Sequence, residues 1–469
     1  MRIIRRFMTA RSPHFRLSEM EPIAFRADEQ EQENRLINVY PDVEFQEIIG
    51  FGGACTEAAA VALGKLDPEA RKRVLRAYFD PEEGIGYTLC RTHIQSCDFS
   101  LGSYSYVEDG DERLDTFDLA RDRQALLPLI RDAARIAGAS FRLLASPWSP
   151  PPWMKTNGRM TGGGRLRPEY RAAWAQFFTR YIRAMAEEGV DVWGVSVQNE
   201  AKATQIWESC VYSAEEERDF VRDYLGPTLE REGLSHVRLF VWDHNKERLF
   251  ERARIVLDDP EAAKYVSGVA FHWYSGDHFE SLDLVRARYP GVMLLATEGC
   301  QEGGVRLGDW SVGERYAHHI IGDLTHGAAG WIDWNIALDE NGGPNHVGNY
   351  CDAPVIVDTR TGQAAFQSSY YYIGHFSRFV RPGARRIGCT RYTDRLEACA
   401  FRNADGTVAV VVLNRTDEPI PFTLRYVSPS GLSSGAEIAD ADSPPHSIQT
   451  LVVSDSARGV RDPDGLLPP

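Results

Sequence analysis

Two stretches of the chain, Val195-Ser196-Val197-Gln198-Asn199-Glu200 and Met293-Leu294-Leu295-Ala296-Thr297-Glu298-Gly299, run apolar and strand-like up to a glutamate. A buried parallel strand reads as a continuous apolar run, and in an eightfold β/α barrel the chemistry sits where such strands end. Two carboxyls at such ends can share one reaction. Ionising one raises the pKa of the other, so the pair separates into an ionised nucleophile and a protonated acid. Hydrolysis of a glycosidic bond with retention of configuration uses a pair of this kind, about 5 to 5.5 Å apart. Glu298 suits the nucleophile and Glu200 the acid.

The neighbours of these glutamates fit the same chemistry. Asn199 precedes the proposed acid, where its amide can bond a sugar hydroxyl as oxocarbenium charge develops. Arg91 can hold the nucleophile ionised, and Tyr274 can hydrogen-bond the same carboxylate. Trp148, Trp153, Trp273, Trp331 and Trp334 crowd the strand ends. Their flat faces suit the C–H faces of sugar rings, while Asp98, Asp333, Asn335 and Asn349 supply partners for hydroxyls. Metal-assisted hydrolysis is a poorer reading, because His93, His272 and His278 form neither an HxH nor an HExxH set. The run Gly162-Gly163-Gly164 lacks the lysine and hydroxyl spacing of a phosphate loop and reads as a flexible rim loop.

Carboxylates placed in this way require parallel strands that end together. From Gly50 onward, apolar runs alternate with amphipathic segments, the signature of βα units. Eight runs predict strands, over 48–53, 88–94, 141–148, 192–199, 237–242, 266–274, 292–297 and 330–335, and eight strands close a barrel. In the segment 169–188, Trp174, Phe177, Phe178, Tyr181, Ile182 and Met185 recur at helical spacing, a stripe that packs against the sheet. Four short strands follow, over 397–401, 407–413, 421–426 and 448–453, with Asn403-Ala404-Asp405-Gly406 as a hairpin turn. They read as a β-sandwich that an early strand near Ile37 can complete. The expected organisation is an N-terminal arm and strand over 1–45, a catalytic barrel over 46–378, a β-sandwich over 379–455 and a disordered tail over 456–469. Arg385-Arg386 reads as a solvated charge pair, and Asn414-Arg415-Thr416 as a turn.

Composition bounds the alternatives. A chain of 469 residues exceeds the roughly 250 of one barrel and leaves room for a second domain. The formal net charge of -15 disfavours nucleic acid and anionic membrane, both of which demand a basic face. Eight scattered cysteines without CxxC pairs argue against structural zinc or a disulfide scaffold. Met1-Arg2-Ile3-Ile4-Arg5-Arg6-Phe7 has the basic start of a leader, but Arg11, His14, Arg16 and Glu19 interrupt any apolar core behind it. With no apolar run of bilayer length either, the expected location is cytoplasmic.

The chain resembles glycoside hydrolase family 30, within it the glucosylceramidase-like branch, as a bacterial-type β-glucosidase relative. The matching stretches include Gly50-Phe51-Gly52-Gly53-Ala54, Ser96-Cys97-Asp98-Phe99-Ser100, Ala145-Ser146-Pro147-Trp148-Ser149-Pro150, Asn199-Glu200, His272-Trp273-Tyr274, Thr297-Glu298 and Gly330-Trp331-Ile332-Asp333-Trp334-Asn335. The resemblance implies an α/β fold, a (β/α)8 TIM barrel with an attached β-sandwich built from both termini. It implies a retaining β-glycosidase without cofactor or metal, with Glu200 as acid/base and Glu298 as nucleophile. Asp98, Trp148, Asn199, Trp334 and Asn349 would line the sugar pocket, with Arg91, His272 and Tyr274 supporting the nucleophile. The expected substrate is a terminal β-glucoside or oligosaccharide. Alternatives are β-1,6-glucanase, β-xylosidase or β-fucosidase activity, or a non-catalytic carbohydrate-binding protein. The common Asn-Glu-Pro is here Asn199-Glu200-Ala201, a departure that touches loop shape and not the acid itself; the segment 202–210 is compact beside that of the animal lysosomal enzymes and the expected signal peptide and N-terminal cysteine cluster are missing, so lysosomal location, activator partnership and ceramide specificity are not expected to carry over.

Overall fold

A computed structural model describes residues 2–427 and 435–455; the tail expected over 456–469 lies outside the described residues. The chain divides into two compact units, Ile48–Pro382 and the pair of segments Met1–Glu47 and Gly383–Pro469.

In the first unit eight parallel strands close into a barrel. In chain order they are Gly50–Ala54, Leu89–Ile94, Arg142–Pro147, Val192–Ser196, Arg238–Asn245, Gly268–His272, Met293–Glu298 and Ala328–Asn335. Helices follow the strands, and the aromatic stripe of Arg171–Glu187 is buried from Trp174 to Met185. The N-terminal half of the barrel interior is apolar, filled by Ile49, Leu89, Leu144, Phe240, Ala270, Leu295, Ala329 and Ile332. A Cβ on Gly52 would lie 1.7 Å from the Leu89 carbonyl oxygen, so only glycine lets the second strand approach the first this closely. No described helix is long and apolar enough to cross a membrane.

The C-terminal ends of three strands are irregular, and each irregularity aims a side chain. On the fifth strand Trp242 pairs with Ala270 while His244 pairs with Phe271, so Asp243 is an extra residue. Trp242 and Asp243 both take positive φ, 74° and 49°, a costly conformation for side chains of this size. On the seventh strand Ala296 pairs with Phe271 and Glu298 with His272, which makes Thr297 the extra residue. On the eighth, Trp334 falls between the paired Asp333 and Asn335. Bulges of this kind re-aim side chains at barrel rims. The fourth strand stops at Ser196, short of the predicted 199. Glu200 stands in the turn beyond it at φ 48°, its N–H donating to the Asp243 carbonyl at 2.8 Å.

The second unit is a ten-stranded sheet in the order Phe15–Ala24, Arg2–Ala10, Ser447–Asp455, Val408–Asn414, Leu396–Arg402, Arg385–Arg391, Leu36–Glu47, Ile420–Val427, Ala436–Ser443 and Arg26–Ala27. Residues from strands far apart in this order, among them Ile4, Ile37, Val410, Leu424 and Ala439, share one core. The sheet therefore folds over on itself as a sandwich. The expected N-terminal arm is instead two antiparallel strands with register shifts after Ile4 and Met8. Those shifts break the strict alternation by which a strand is recognised. Nor is Arg385-Arg386 a solvated pair: Arg386 is buried, with its guanidinium over the Phe45 ring and its Nε donating to Gln46 Oε1.

Candidate active site

At the C-terminal ends of the barrel strands lies a pocket of about 170 Å³, lined by Asp98, Trp148, Asn199, Glu200, Gln205, Trp207, His244, Asn245, Tyr274, Glu298, Cys300, Glu302, Trp334, Asn349 and Cys351. A larger cavity of about 590 Å³ opens at the opposite end, around Arg238, Ser267 and Gly291, without a comparable convergence of groups. Size does not identify the site; chemistry does.

Arg91, on the second strand, organises the floor. Its guanidinium is fully buried, and Nη1 donates to Glu298 Oε2 while Nη2 donates to Asn199 Oδ1 and Asp243 Oδ2, both at 2.8 Å. Tyr274 OH donates to the other oxygen of Glu298 at 2.9 Å. Both carboxylate oxygens of Glu298 are thus addressed by donors, and the bond from Arg91 to Asn199 Oδ1 leaves the Asn199 NH2 to donate elsewhere. Asp243 is the second hub. It accepts from Ser146 Oγ at 3.0 Å, from Ser196 Oγ and from Thr297 Oγ1 at 2.6 Å, and it faces His272 Nε2 at 3.1 Å. Burial pushes its carboxyl up, but Arg91 and His272 outweigh this and hold it well below the ordinary carboxylate range.

His272 stands between the two glutamates. Its Nδ1 is 3.3 Å from Glu200 Oε1 and 3.9 Å from Glu298 Oε1, so it engages the expected acid more closely than the nucleophile it was expected to support. Burial opposes its protonation, yet the charge of Glu298 and the bonds to Asp243 and Glu200 raise it to about 9. Glu200 shows the reciprocal effect. Burial favours its neutral form, and the hydrogen bond from His272, with the charges of His244, His272 and Arg91, more than offsets that and lowers its pKa. The two shifts run in opposite directions, Glu200 toward the carboxylate and His272 toward the imidazolium, which favours a charged pair over the neutral acid that the sequence suggests.

Trp148 and Trp334 stack with centroids 5.2 Å apart at 22°, and the Arg91 guanidinium lies 4.8 Å from the Trp148 ring centroid. Asp98 accepts from Asn349 Nδ2 at 3.0 Å and from Asn345 Nδ2 at 3.5 Å. Burial raises its pKa to about 8 against the bond from Asn349, with Glu298, Glu208 and Glu200 adding to the rise.

The structure brings Asp98, Trp148, Asn199, Glu200, Tyr274, Glu298, Trp334 and Asn349 into one pocket with Arg91 and His272 beneath it. It does not bring in Asp333 or Asn335. Asp333 Oδ1 accepts from Tyr316 OH at 2.7 Å and Asn335 Oδ1 from Thr56 Oγ1 at 2.6 Å, both buried outside the pocket lining. Trp273 and Trp331 pack against Tyr316, and Trp153 packs against Tyr170. The triple glycine takes three positive φ values and bonds to Gln205 O and Ser209 Oγ, bracing the segment that carries Gln205 and Trp207 into the pocket. Sequence reasoning missed Asp243, His244 and the thiols of Cys300 and Cys351. Asp243 carried a usable signal, since Phe240-Val241-Trp242-Asp243 is also an apolar run stopped by a carboxylate.

Two family descriptions match the chain: the glycosyl hydrolase family 30 TIM-barrel domain over residues 48–380 and the glycosyl hydrolase family 30 beta sandwich domain over residues 383–451. The chain is 39% identical over 410 residues to the lysosomal acid glucosylceramidase of Mus musculus, covering 83% of this chain and 79% of that protein. It is 29% identical over 407 residues to the endo-1,6-beta-D-glucanase of Neurospora crassa, covering 83% of each. Among solved structures, SrfJ from Salmonella typhimurium matches with a TM-score of 0.91 at 38% identity, over 96% of this chain and 99% of that one.

The Asp98 environment yields a stability prediction. A carboxyl whose pKa is about 8 when folded and about 3.9 when unfolded weakens the fold as pH rises between those values, by about 1.4 kcal/mol per unit crossed. Asp98→Asn removes that dependence. The variant is expected to match the wild type in thermal midpoint near pH 4 and to exceed it increasingly up to pH 8. A midpoint difference that stays flat with pH would contradict the assignment.

Proposed function

The chain belongs to glycosyl hydrolase family 30 and is a glycoside hydrolase, and from that premise we propose that it is a retaining β-glycosidase acting on terminal β-glucosides. Glu298 is the nucleophile and Glu200 the acid and then base. The observation that carries this reading is the asymmetric treatment of the two carboxyls. Glu298 is clamped by Arg91 and Tyr274 on both oxygens, whereas Glu200 Oε1 faces two imidazole nitrogens, of His272 at 3.3 Å and of His244 at 3.5 Å.

In the first step Glu298 attacks the anomeric carbon while Glu200 protonates the departing oxygen. The contact of His272 Nδ1 with Glu200 Oε1 supports His272 as the source of that proton, and a substrate that excludes water and adds an acceptor favours its transfer onto the carboxyl. In the second step Glu200 takes a proton from water, which hydrolyses the glycosyl-enzyme. The two contacts of His272 Nδ1 limit the Oε1 atoms of the glutamates to about 7 Å apart, below most of the roughly 6.5 to 9.5 Å of an inverting pair. This supports retention.

A pocket of about 170 Å³ lies below the roughly 300 to 1,000 Å³ of sites for larger ligands, which supports one terminal sugar over a chain threading through. Asp98 and Asn349 support recognition of its outer hydroxyls. A sugar that leaves one such group unpaired loses about 1 to 3 kcal/mol, roughly 5- to 150-fold in rate. Xylose lacks the hydroxymethyl arm. For matched aryl β-glycosides, kcat/KM is expected to favour glucoside over xyloside by such a factor, with β-glucose as the first anomer seen by proton NMR. Preference for xyloside would refute the sugar assignment, and α-glucose as the first anomer would refute retention.

Glu298→Ala should abolish turnover with every leaving group by several orders of magnitude. Glu200→Ala should spare activated aryl leaving groups, which need little protonation. Kinetics across aryl glycosides of graded leaving-group pKa check this: equal sensitivity of the two variants would remove the distinction between the roles, and the opposite pattern would reverse it. Activity of the wild type is expected to persist in excess chelator.

A further inference from the structure

Glu200, His244 and His272 converge around a single point. One potential ligand atom from each, a carboxylate oxygen and two imidazole nitrogens, lies within 4.8 Å of the others. Glu200 Oε1 is 3.5 Å from His244 Nδ1 and 3.3 Å from His272 Nδ1. Two donors bound to zinc at about 2.0 to 2.1 Å in tetrahedral geometry stand about 3.3 Å apart, so both edges lie close to a coordination edge.

Three further observations favour a metal over a merely crowded site. His244 Nδ1 is buried and has no hydrogen-bond partner among the described residues. His272 presents Nδ1 because its other nitrogen faces Asp243 Oδ1 at 3.1 Å, the carboxylate–histidine arrangement that orients metal-binding imidazoles. Glu200 and His244 both line the pocket, which gives an ion a path in. His244 owes its aim to the bulge at Asp243.

We infer that Glu200, His244 and His272 form an inhibitory site for a divalent transition metal of the zinc class, held by the Glu200 carboxylate and the two imidazoles. Binding is coordination with no redox change, and a proton displaced from a ligand atom leaves to solvent. The metal is not a resident cofactor. While bound it keeps Glu200 from donating a proton, so the inhibitory half of the inference rests on the acid/base reading above, whereas the site itself does not.

The test is a titration of chelator-stripped enzyme with Co2+, followed by visible absorption, with parallel calorimetry and rate measurements using Zn2+. One equivalent should bind, with the ligand-field bands of a nitrogen–oxygen site and no thiolate charge-transfer band. Zn2+ should inhibit, and chelator should restore the rate. His244→Asn and, independently, Glu200→Gln should each weaken binding at least tenfold, with circular dichroism showing both variants folded. Cys300→Ser and Cys351→Ser control for the thiols in the same pocket and should leave binding intact. The inference is overturned if no equivalent binds, if both ligand variants bind as tightly as wild type, or if a thiolate band appears and disappears with the cysteines. Metal bound through His244 without inhibition would refute the inhibitory half together with the role of Glu200. Absence of binding alongside the leaving-group pattern of Glu200→Ala would refute only the metal site.

Discussion

A guanidinium buried completely at the end of a barrel is tolerable only if its charge and its donors find partners, because an unpaired buried ion costs several kcal/mol. Arg91 meets that condition with groups drawn from across the barrel: Glu298 from the seventh strand, Asp243 from the fifth, Asn199 from the turn after the fourth and Ser146 from the third. The same contacts that make Arg91 affordable set the register of those strand ends and fix Glu298 and Asn199. Positioning of the proposed nucleophile and satisfaction of a buried charge are one requirement here.

The irregular backbone follows from that requirement. A regular strand alternates its side chains and would turn Asp243 or Glu298 away from Arg91, so an extra residue in each strand restores the aim. Trp242, Asp243 and Glu200 all sit at positive φ, conformations that cost on the order of 1 to 3 kcal/mol each and survive only where the surroundings over-determine them. Asp98, raised to about 8, adds an electrostatic cost in the same pocket. The apolar lower barrel, around Leu89, Leu144, Phe240 and Leu295, supplies the stability that offsets these local strains.

Much of this was legible in the residues. Eight apolar runs correspond to eight barrel strands, because strands buried on both faces announce themselves by hydrophobicity alone. Glu200 and Glu298 stood out because a carboxylate that ends such a run has no reason in packing. The misses have physical causes. Arg2–Ala10 alternates imperfectly owing to its register shifts, and Arg386 is buried by lying over an aromatic ring. Asp333 and Asn335 look like sugar partners by type and position, but partners on other elements, Tyr316 and Thr56, claim them. His244 could not be singled out, since its meeting with Glu200 and His272 depends on a bulge that no local pattern encodes.

The central claim is that the Arg91 network sets Glu298, and not Glu200, as the group that becomes covalently bonded to sugar. The most direct measurement is peptide mass spectrometry of the enzyme inactivated by a 2-deoxy-2-fluoro-β-glucosyl fluoride, a substrate whose glycosyl-enzyme decays slowly. The account predicts one fluoroglucosyl group, carried by Glu298. A label on Glu200, or turnover with no covalent adduct at all, would contradict it.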